Sequence, residues 1–381
     1  MTEGVKPYRL YRGGRSKGKV PLDRRFRSDR TPPVAAGDPR RRRRWGLWVA
    51  LALVGLIVLV IVWGVLGYVS FSRGVSKANE RLPPGTRAKL APQDGSLLST
   101  PSTILVMGTD GGSEPGRGSD HRSDSLLLLH TDPGTHRISY LSIPRDLRVD
   151  IPGYGPSKIN AASQLGGPTL TLSTVRALTG LPIQHVVVVD FDGFKKLIDA
   201  IGGIEVNVPK PILSNRFDCP YPTRARCLQW KGWRFHRGPQ HMNGEQALIY
   251  SRIRENQLNP GENDLTRAAR QQAVAQAAEA KLASVGTLFS MPFDGNKLMK
   301  PLATDLSTWQ LMELGWVKFR ASGSHTLYCR LGGDATSVGG SSVLLPSEDN
   351  RSVLAMWAGL SAPQPPTTTF GPGCRVGHPL K

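Results

Sequence analysis

The strongest constraint on this chain is Trp45–Ser72, a run of 28 residues without a charged side chain. The hydrocarbon core of a bilayer is about 30 Å thick, and about 20 apolar residues in a helix span it. Trp45, Trp48, Trp63 and Tyr68 lie toward the ends of the run, where aromatic anchors are enriched. A cleaved signal peptide has a shorter apolar core near the N-terminus, so it is disfavoured. We predict one transmembrane helix over residues 45–72.

Positive charge is concentrated before this segment. Residues 1–44 hold 15 Lys+Arg against 4 Asp+Glu, whereas the remainder holds 34 against 25. The positive-inside rule therefore predicts a single-pass protein of the cell membrane, with residues 1–44 cytoplasmic and everything after Ser72 extracytoplasmic. The basic tail has few apolar residues and is predicted to be disordered at the anionic inner leaflet. Nucleic-acid binding by this tail is the less favoured alternative.

Apolar runs after the linker have the length and composition of buried strands. Apolar positions at helical spacing, bounded by glycines, lie between some of them, and strands that alternate with helices indicate an α/β fold. We predict a central mixed β-sheet flanked by helices. The predicted strands are Ile104–Met107, Leu126–Leu129, Ile138–Ile143, His185–Asp190 and Ile204–Val208, and the predicted helices include Gly167–Leu178, Phe191–Ile201 and Leu265–Ser284.

Composition also places the domain boundaries. Residues 73–100 are predicted to be an extracytoplasmic linker with a short polar helix, residues 101–361 the folded domain, and residues 362–381 a flexible Pro-rich tail. Asn207–Met242 is loop-rich and contains two cysteines, which suggests an excursion pinned by a disulfide. Asn243 with Gln246 has the arrangement of a helix capping box.

The four cysteines, Cys219, Cys227, Cys329 and Cys374, all lie on the predicted outer side. An even number in an oxidising compartment indicates two disulfides, and four cysteines allow three pairings. Cys219 with Cys227 closes a short loop and is preferred, which leaves Cys329 with Cys374. A zinc site is the alternative, but neither pair has CxxC spacing.

Charged residues stand at the ends of the first three predicted strands. Asp110 follows the first, Arg122 and Asp124 precede the second, and Arg145 with Asp146 follows the third. Charges beside buried strands are costly unless they are paired or bind a ligand. Two carboxylates near arginines favour a Mg²⁺–phosphate site, with Mn²⁺ as the alternative ion. The competing interpretation is a set of structural salt bridges.

A second group of basic residues lies between Ser251 and Gln272. Arg252 and Arg254 share a face if that segment is extended. Arg267, Arg270 and Gln271 fall at helical spacing on one face near the start of a helix, where anions are favoured. Several arginines on ordered elements are suited to a pyrophosphate. A solvated helix face is the alternative, and Lys158 is a weaker candidate because a lone Lys is usually solvated.

Taken in order, these segments resemble the LytR-CpsA-Psr (LCP) family of membrane-anchored bacterial enzymes that ligate cell-wall glycopolymers. The matching motifs are GTD, RSDSLLLLH, SIPRD, KINAA, DF-GF-LIDAIGGIEV, YSRIR and DLTRAARQQ. The resemblance covers roughly residues 102–284 and extends toward Leu360. It implies an α/β/α sandwich. High use of Gly, Pro, Ala and Arg is typical of a high-GC actinobacterium.

The resemblance implies transfer of a glycopolymer from an undecaprenyl-pyrophosphate (polyprenyl-pyrophosphate) carrier to peptidoglycan, as a phosphodiester. Asp110 and Asp124 would hold Mg²⁺. Asp110, Asp124, Arg122 and Arg145 are the implied catalytic residues. The residues implied to contact the pyrophosphate are Arg122, Arg145, Arg252, Arg254, Arg267, Arg270 and Gln271. Lys158 is a weaker candidate for the same role, and Asp146 falls in a matching motif with a less certain role. The apolar positions of Leu126–Leu129, Val186–Val189 and the Ala-rich helix would line a cavity for the lipid, although most of them are expected to be ordinary core.

Two other functions are compatible with the sequence. A pyrophosphatase acting on the same carrier would use the same donor chemistry, with water in place of the sugar acceptor. A membrane-bound transcriptional regulator is less favoured, because the basic tail contains no helix-turn-helix and the ordered domain is predicted to lie outside the cell.

Overall fold

The computed structural model describes residues 39–110, 123–217, 219–253, 255–259, 264–282, 284–321, 323–368 and 371–377. The chain divides into two compact units, Met1–Val58 and Leu59–Lys381. In the first unit, the described residues belong to a helix that continues into the second. The second unit contains every strand described below.

The helices are α1 Pro39–Arg81, α2 Pro84–Arg87, α3 Ala161–Thr179, α4 Phe191–Ala200, α5 Arg224–Gln229, α6 Gly244–Arg252, α7 Asp264–Leu282, α8 Val285–Met299, α9 Thr308–Arg320 and α10 Asn350–Trp357. The strands are β1 Ser102–Thr109, β2 Ser123–Asp132, β3 Arg137–Ile143, β4 Arg148–Ile151, β5 Gly155–Lys158, β6 His185–Asp190, β7 Ile204–Val208, β8 Ile212–Leu213, β9 Arg234–Phe235, β10 Gly238–Met242, β11 Leu302–Thr304, β12 Thr326–Arg330, β13 Gly333–Val338, β14 Ser341–Pro346 and β15 Gly373–Val376.

The apolar segment forms one long helix. Among the described residues, the span Trp45–Arg81 of α1 is long and apolar enough to cross a membrane, with a mean hydropathy of 3.1 in a window that is entirely exposed. This is consistent with a single membrane span. The polar helix expected after Ser72 is a continuation of α1 rather than a separate element. Its side chains Val75 and Ala78 are buried, so packing holds this part in place.

A seven-stranded mixed sheet forms the centre of the second unit, in the order β11-β6-β1-β2-β3-β12-β15. The β1–β6 and β3–β12 pairs are parallel, and the other pairs are antiparallel. The mixed sheet with flanking helices confirms the predicted fold class. The first face of the sheet carries the larger core, in which Leu105, Leu128 and Leu141 pack with side chains of α3 and α10.

A second core lies beside the sheet. It joins α4, α6 and α7 to the antiparallel pair of β7 and β10 and includes Ile198, Val206, Tyr250 and Val274. The strand predicted over Ile204–Val208 is therefore present, but it pairs with β10 and not with the central sheet. The capping box at Asn243 is confirmed, because the Asn243 side chain accepts from the backbone N–H of Gln246 and the Gln246 side chain accepts from the backbone N–H of Asn243.

Three segments differ from their predicted form. Helix α3 begins at Ala161, earlier than expected, and kinks at Gly166–Gly167, where Gly167 has a φ of 61°. Residues 73–100, expected to be a linker, bury Leu82 and Leu97 in addition to the end of α1. The Pro-rich end returns to the sheet as the edge strand β15, so its residues 373–376 are not a flexible tail.

Two disulfides hold parts of these segments in place. Cys219 is bonded to Cys227, and Cys329 to Cys374, as the short-loop argument preferred. Zinc ligation by these cysteines is therefore wrong. Cys329 and Cys374 face each other across the β12–β15 pair and are buried in the larger core, so this bond ties the C-terminal segment to the sheet.

Candidate active site

Some of the predicted site residues that the structure describes lie at one end of the central sheet. Strands β1 and β6 run in parallel and end side by side, with Thr109 opposite Asp190. Strand β2 begins at this end, and β3 finishes here, because Leu126 is paired with both Met107 and Ile143. Asp110 after β1, Asp124 at the start of β2 and Arg145 after β3 therefore lie at the same end of the sheet. Ligands of open α/β sheets commonly bind at such an end.

A β-bulge places Asp124. The β1–β2 register pairs Gly108 with Ser125 but Thr109 with Ser123, so Asp124 is the extra residue. Bulges of this kind redirect a side chain and are common beside active sites. The backbone of Asp124 therefore lies opposite the last two residues of β1, immediately before Asp110. The Asp124 side chain itself lies outside what the structure describes.

Arg145 belongs to a charged triad just beyond β3. Its Nε lies 3.3 Å from Oδ2 of Asp146, whose Oδ1 lies 3.0 Å from Nζ of Lys158. Two backbone hydrogen bonds fix the segment that carries Arg145 and Asp146. The N–H of Asn160 donates to the carbonyl oxygen of Arg145, and the N–H of Leu344 donates to the carbonyl oxygen of Asp146. Asp146 thus orients the side chains of Arg145 and Lys158, as the salt-bridge interpretation of this residue predicts. Both basic side chains lie at this end of the sheet.

Arg252 comes to the same place from a different part of the chain. It is the last residue of α6, and its guanidinium lies 4.7 Å from the ring centroid of Phe191 and 5.8 Å from that of Phe217. Phe191 directly follows Asp190, the residue paired with the end of β1. Cation–π contacts of this kind hold an arginine in one orientation. The segment is helical at Arg252, so the extended conformation on which a shared face of Arg252 and Arg254 depends is absent at this residue.

Arg270 has a different environment from Arg145 and Arg252. It is 6% exposed, and its Nη2 donates to the carbonyl of Ile253 at 2.5 Å. Ile253 is the residue that ends α6 after Arg252. Arg270 therefore links α7 to the C-terminal end of α6. The next residue, Gln271, is half-buried.

Several predicted ligands cannot be placed. Arg122 and Arg254 lie outside the described residues, and Arg267 is described only as part of the backbone of α7. Their proposed contacts with a pyrophosphate remain predictions.

The second face of the sheet offers an apolar surface beside this end. Strand alternation divides the apolar runs between the faces: Leu126, Leu128 and Val186 join the larger core. Their neighbours on the second face are only half-buried; these are Val106, Leu127, Leu129, Val187 and Val189. The prediction of a lipid cavity lined by these runs can therefore apply only to the half-buried residues of the second face.

Tyr140, Glu279 and Lys318 form a polar cluster on the second face of the sheet, away from the candidate site. The Tyr140 hydroxyl donates to Glu279 of α7 at 3.2 Å and accepts from Lys318 of α9 at 3.0 Å. Glu279 and Lys318 are themselves 2.7 Å apart. Burial, followed by the charge of Glu279, raises the pKa of Tyr140, so its hydroxyl stays protonated and can donate. The stacked ring of Tyr328 lies against it.

The donor set at the sheet end suits a hard cation. Asp110 and Asp124 leave adjacent strands and carry carboxylate oxygens, and Mg²⁺ typically takes one or two protein carboxylates plus water and substrate phosphate oxygens. In the part of the chain that the structure describes, no group of three or more His, Cys, Asp or Glu side chains forms a larger metal site. By residue type, the two carboxylates are ligands that Mg²⁺ prefers, and the ion stays a prediction.

Residues 65–351 match the LytR-CpsA-Psr family, which is most of the chain. The chain belongs to this family. It is 31% identical over 261 residues to TagV of Bacillus subtilis, named a polyisoprenyl-teichoic acid–peptidoglycan teichoic acid transferase, covering 67% of this chain and 63% of that protein. It is 32% identical to the probable cell wall biosynthesis protein LcpB of Corynebacterium glutamicum, covering 69% of this chain and 60% of LcpB.

The fold of this LytR-CpsA-Psr protein agrees with a solved relative. The crystal structure of B. subtilis TagV aligns with a TM-score of 0.54 at 29% identity, covering 68% of this chain and 97% of that one. By sequence, the chain spans less than two thirds of TagV and of LcpB.

The sequence does not predict the aromatic partners of Arg252. Phe191 belongs to the DF-GF motif, and Phe217 lies in the cysteine-containing excursion. The one local signal is that Phe191 follows the end of a buried strand, which is a position where ligand sites form. Phe217 lies in a loop distant in sequence from both other residues, and nothing in the sequence indicates that the three meet.

Proposed function

We propose that this protein is an extracytoplasmic phosphotransferase that moves a glycopolymer from a polyprenyl-pyrophosphate carrier to peptidoglycan. The observation that carries the proposal is the convergence of Asp110, Asp124, Arg145 and Arg252 at one sheet end, beside a half-buried apolar face. Carboxylates for a cation, arginines for phosphates and an apolar surface for a lipid are the parts that this donor requires. The names of the TagV and TagU relatives support the same reaction.

The proposed reaction is an exchange at one phosphorus atom. A hydroxyl oxygen of the acceptor attacks the phosphorus next to the glycan, and the bond from that phosphorus to the bridging oxygen breaks. Polyprenyl phosphate leaves with the bridging oxygen and its electron pair, and the glycan becomes joined to the acceptor by a phosphodiester. The hydroxyl proton passes to a carboxylate of the aspartate pair or to water.

The chain's own residues position the donor and neutralise its charge. Arg145, oriented by Asp146, and Arg252, in contact with two phenylalanine rings, would bind the pyrophosphate oxygens with guanidinium groups that need little reorganisation. Asp110 and Asp124 would hold Mg²⁺, with Mn²⁺ as an alternative, and the bound ion supplies charge neutralisation at the leaving phosphate. The half-buried valines and leucines of the second face would accept the polyprenyl chain.

We also propose the membrane orientation that this reaction needs. Residues 1–44 would be cytoplasmic because they are strongly basic, and the domain that follows α1 would face the cell wall. The two disulfides support an oxidising location for that domain. The glycan is proposed to be a wall polysaccharide of a high-GC actinobacterium, with an arabinogalactan-like chain as one form.

The test uses the full-length protein in lipid nanodiscs with a polyprenyl-pyrophosphate glycan, a peptidoglycan acceptor and Mg²⁺. Release of polyprenyl phosphate is followed by mass spectrometry with and without chelator. We expect metal-dependent release that is lost in Asp124→Ala and Arg252→Ala. The matched control is Arg176→Ala, in the last turn of α3, since α3 leads toward the start of β6 at the other sheet end. Release that is equal in all three variants would contradict the assigned site.

A pyrophosphatase is the second candidate, because the same residues would activate the same donor. It predicts free phosphorylated glycan as the product in place of glycan joined to the acceptor. The products of the reaction above therefore decide between the two.

A further inference from the structure

An open groove lies beside the ends of β1 and β6, next to the candidate cation site. Its volume is about 1020 Å³, and its lining includes Thr109 and Asp190, which are paired at the ends of the two strands. Thr109 immediately precedes Asp110. Val188 and Ala303, paired between β6 and β11, also line the groove. Val188 packs against the larger core, so the groove lies on the first-face side of the sheet.

Helix α4 forms one wall of this groove, which we call the polar groove. The apolar side of α4, with Ile198, packs in the second core. Asp192, Lys196 and Asp199 lie on another side of α4 and line the groove, because residues three and four positions apart share a helix face. The end of α8 and the following Lys300 form a second wall. Charged side chains therefore enter the groove from two helices.

The carboxylates of the polar groove already have partners within the protein. The pairs are Asp190 with the Gly193 N–H, Asp192 with Lys195 at 2.9 Å, Asp199 with the Gly244 N–H and Asp294 with Lys297 at 2.8 Å. Lys196 and Lys300 also line the groove and are exposed, but they form no ion pair within the described part of the chain. Their two ammonium groups are therefore available to an anionic ligand.

The geometry of the transfer reaction favours the acceptor as this ligand. In phosphoryl transfer the attacking and leaving oxygens lie roughly in line, on opposite sides of the phosphorus. The leaving oxygen stays with polyprenyl phosphate, whose lipid is proposed to lie on the second face, at residues such as the half-buried Val187 and Val189. The acceptor hydroxyl is therefore expected from the first-face side, where the polar groove adjoins Thr109.

We propose that the polar groove binds the peptidoglycan acceptor, with Lys196 and Lys300 on carboxylates of its stem peptide. Peptidoglycan joins sugars that carry hydroxyls to short peptides that carry carboxylates, and ammonium groups on flexible side chains suit such mobile anions. Pockets for drug-sized ligands have volumes of about 300–1,000 Å³. The groove, at about 1020 Å³, therefore accommodates a sugar with part of its peptide. This inference deepens the proposed function and rests on peptidoglycan being the acceptor.

The test measures acceptor binding without donor, on the full-length protein in nanodiscs. The probe is a soluble, uncrosslinked peptidoglycan strand with a fluorescent end label, used with its carboxylates free or converted to amides, and binding is followed by fluorescence anisotropy. Lys196→Gln/Lys300→Gln removes two charges from exposed side chains. The matched control, Lys89→Gln/Arg176→Gln, removes two charges near the start of β6, at the other sheet end.

We expect the dissociation constant of the free-carboxylate strand to rise about tenfold in Lys196→Gln/Lys300→Gln, because each exposed ion pair contributes up to about fivefold. The control should bind this strand like the wild type, and the amidated strand should bind both double variants equally.

Three results would overturn the proposal. The first is no binding of the free-carboxylate strand by the wild type, or equal binding by the two double variants. The second is the same loss with the amidated strand, because the lysines would then not bind carboxylates. The third is a loss of affinity for the polyprenyl-pyrophosphate glycan in place of the acceptor, which would assign the groove to the donor. Since acceptor binding is measured without donor, failure of the transferase assay would leave this result unaffected.

Discussion

Removal of the Cys329–Cys374 disulfide should destabilise the domain more than removal of Cys219–Cys227. The first bond joins residues 45 positions apart, and the second joins residues 8 positions apart. A cross-link restricts the unfolded chain, and loop-closure entropy assigns about 4 kcal/mol to the longer loop and about 2.5 kcal/mol to the shorter one at 25 °C. The longer cross-link also lies in the larger core, where Cys329 and Cys374 are both buried. The difference should therefore be at least about 1.5 kcal/mol.

The assay compares Cys329→Ala/Cys374→Ala with Cys219→Ala/Cys227→Ala in the full-length protein. Alanine avoids leaving a buried hydroxyl without a partner. The free energy of unfolding is measured by urea titration in detergent, with far-ultraviolet circular dichroism and tryptophan fluorescence as independent probes. An equal loss in both variants, or a larger loss from the shorter loop, would refute the reasoning that β15 is a constrained edge strand.

Three further outcomes follow from single side chains. Burial lowers the pKa of His130 below its ordinary 6.5, so the folded protein should lose stability as pH falls below 6.5; His130→Gln should flatten this loss in pH-dependent urea titrations. Asp146→Asn removes both ion pairs of Arg145 and Lys158 and should reduce kcat/KM for polyprenyl phosphate release, while unfolding free energy changes by less than about 1 kcal/mol because the group is partly exposed. Arg270→Met removes a charged donor from the end of α6 and should lower the unfolding free energy by about 2 kcal/mol.

Each of these outcomes has a contrary result. The pH dependence below 6.5 would be identical in His130→Gln if another group caused it. Full activity in Asp146→Asn would show that the carboxylate does not orient Arg145 for the reaction. Unchanged stability in Arg270→Met, with impaired donor binding, would make Arg270 a ligand rather than a support for α6.

Local patterns were sufficient to predict much of the fold. The runs around Leu105, Leu128 and Leu141 are strands because their alternate residues fill the larger core. The capping box at Asn243 was readable because its two partners are three residues apart. The strand Ile204–Val208 could also be predicted. Its pairing with β10 could not, because the two strands are about 30 residues apart and meet only through tertiary packing.

The sequence predicts which residues belong to the candidate site better than it predicts how they are arranged. Asp110, Asp124 and Arg145 could be grouped because each adjoins a predicted strand that belongs to one sheet. Helical spacing placed Arg270 on a face of α7 but gave no indication that this face turns inward toward Ile253. The two rings beside Arg252 come from distant segments, so only the folded structure brings them together.

The most direct test of the proposed transfer follows the phosphate next to the glycan. A donor radiolabelled at that phosphate is incubated with the full-length protein in nanodiscs, Mg²⁺ and purified peptidoglycan, and the label is traced after muramidase digestion. The proposal predicts label in glycan-bearing peptidoglycan fragments as a phosphodiester, with unlabelled polyprenyl phosphate released in equal amount. Label that remains with soluble phosphorylated glycan, or with the released lipid, would contradict it.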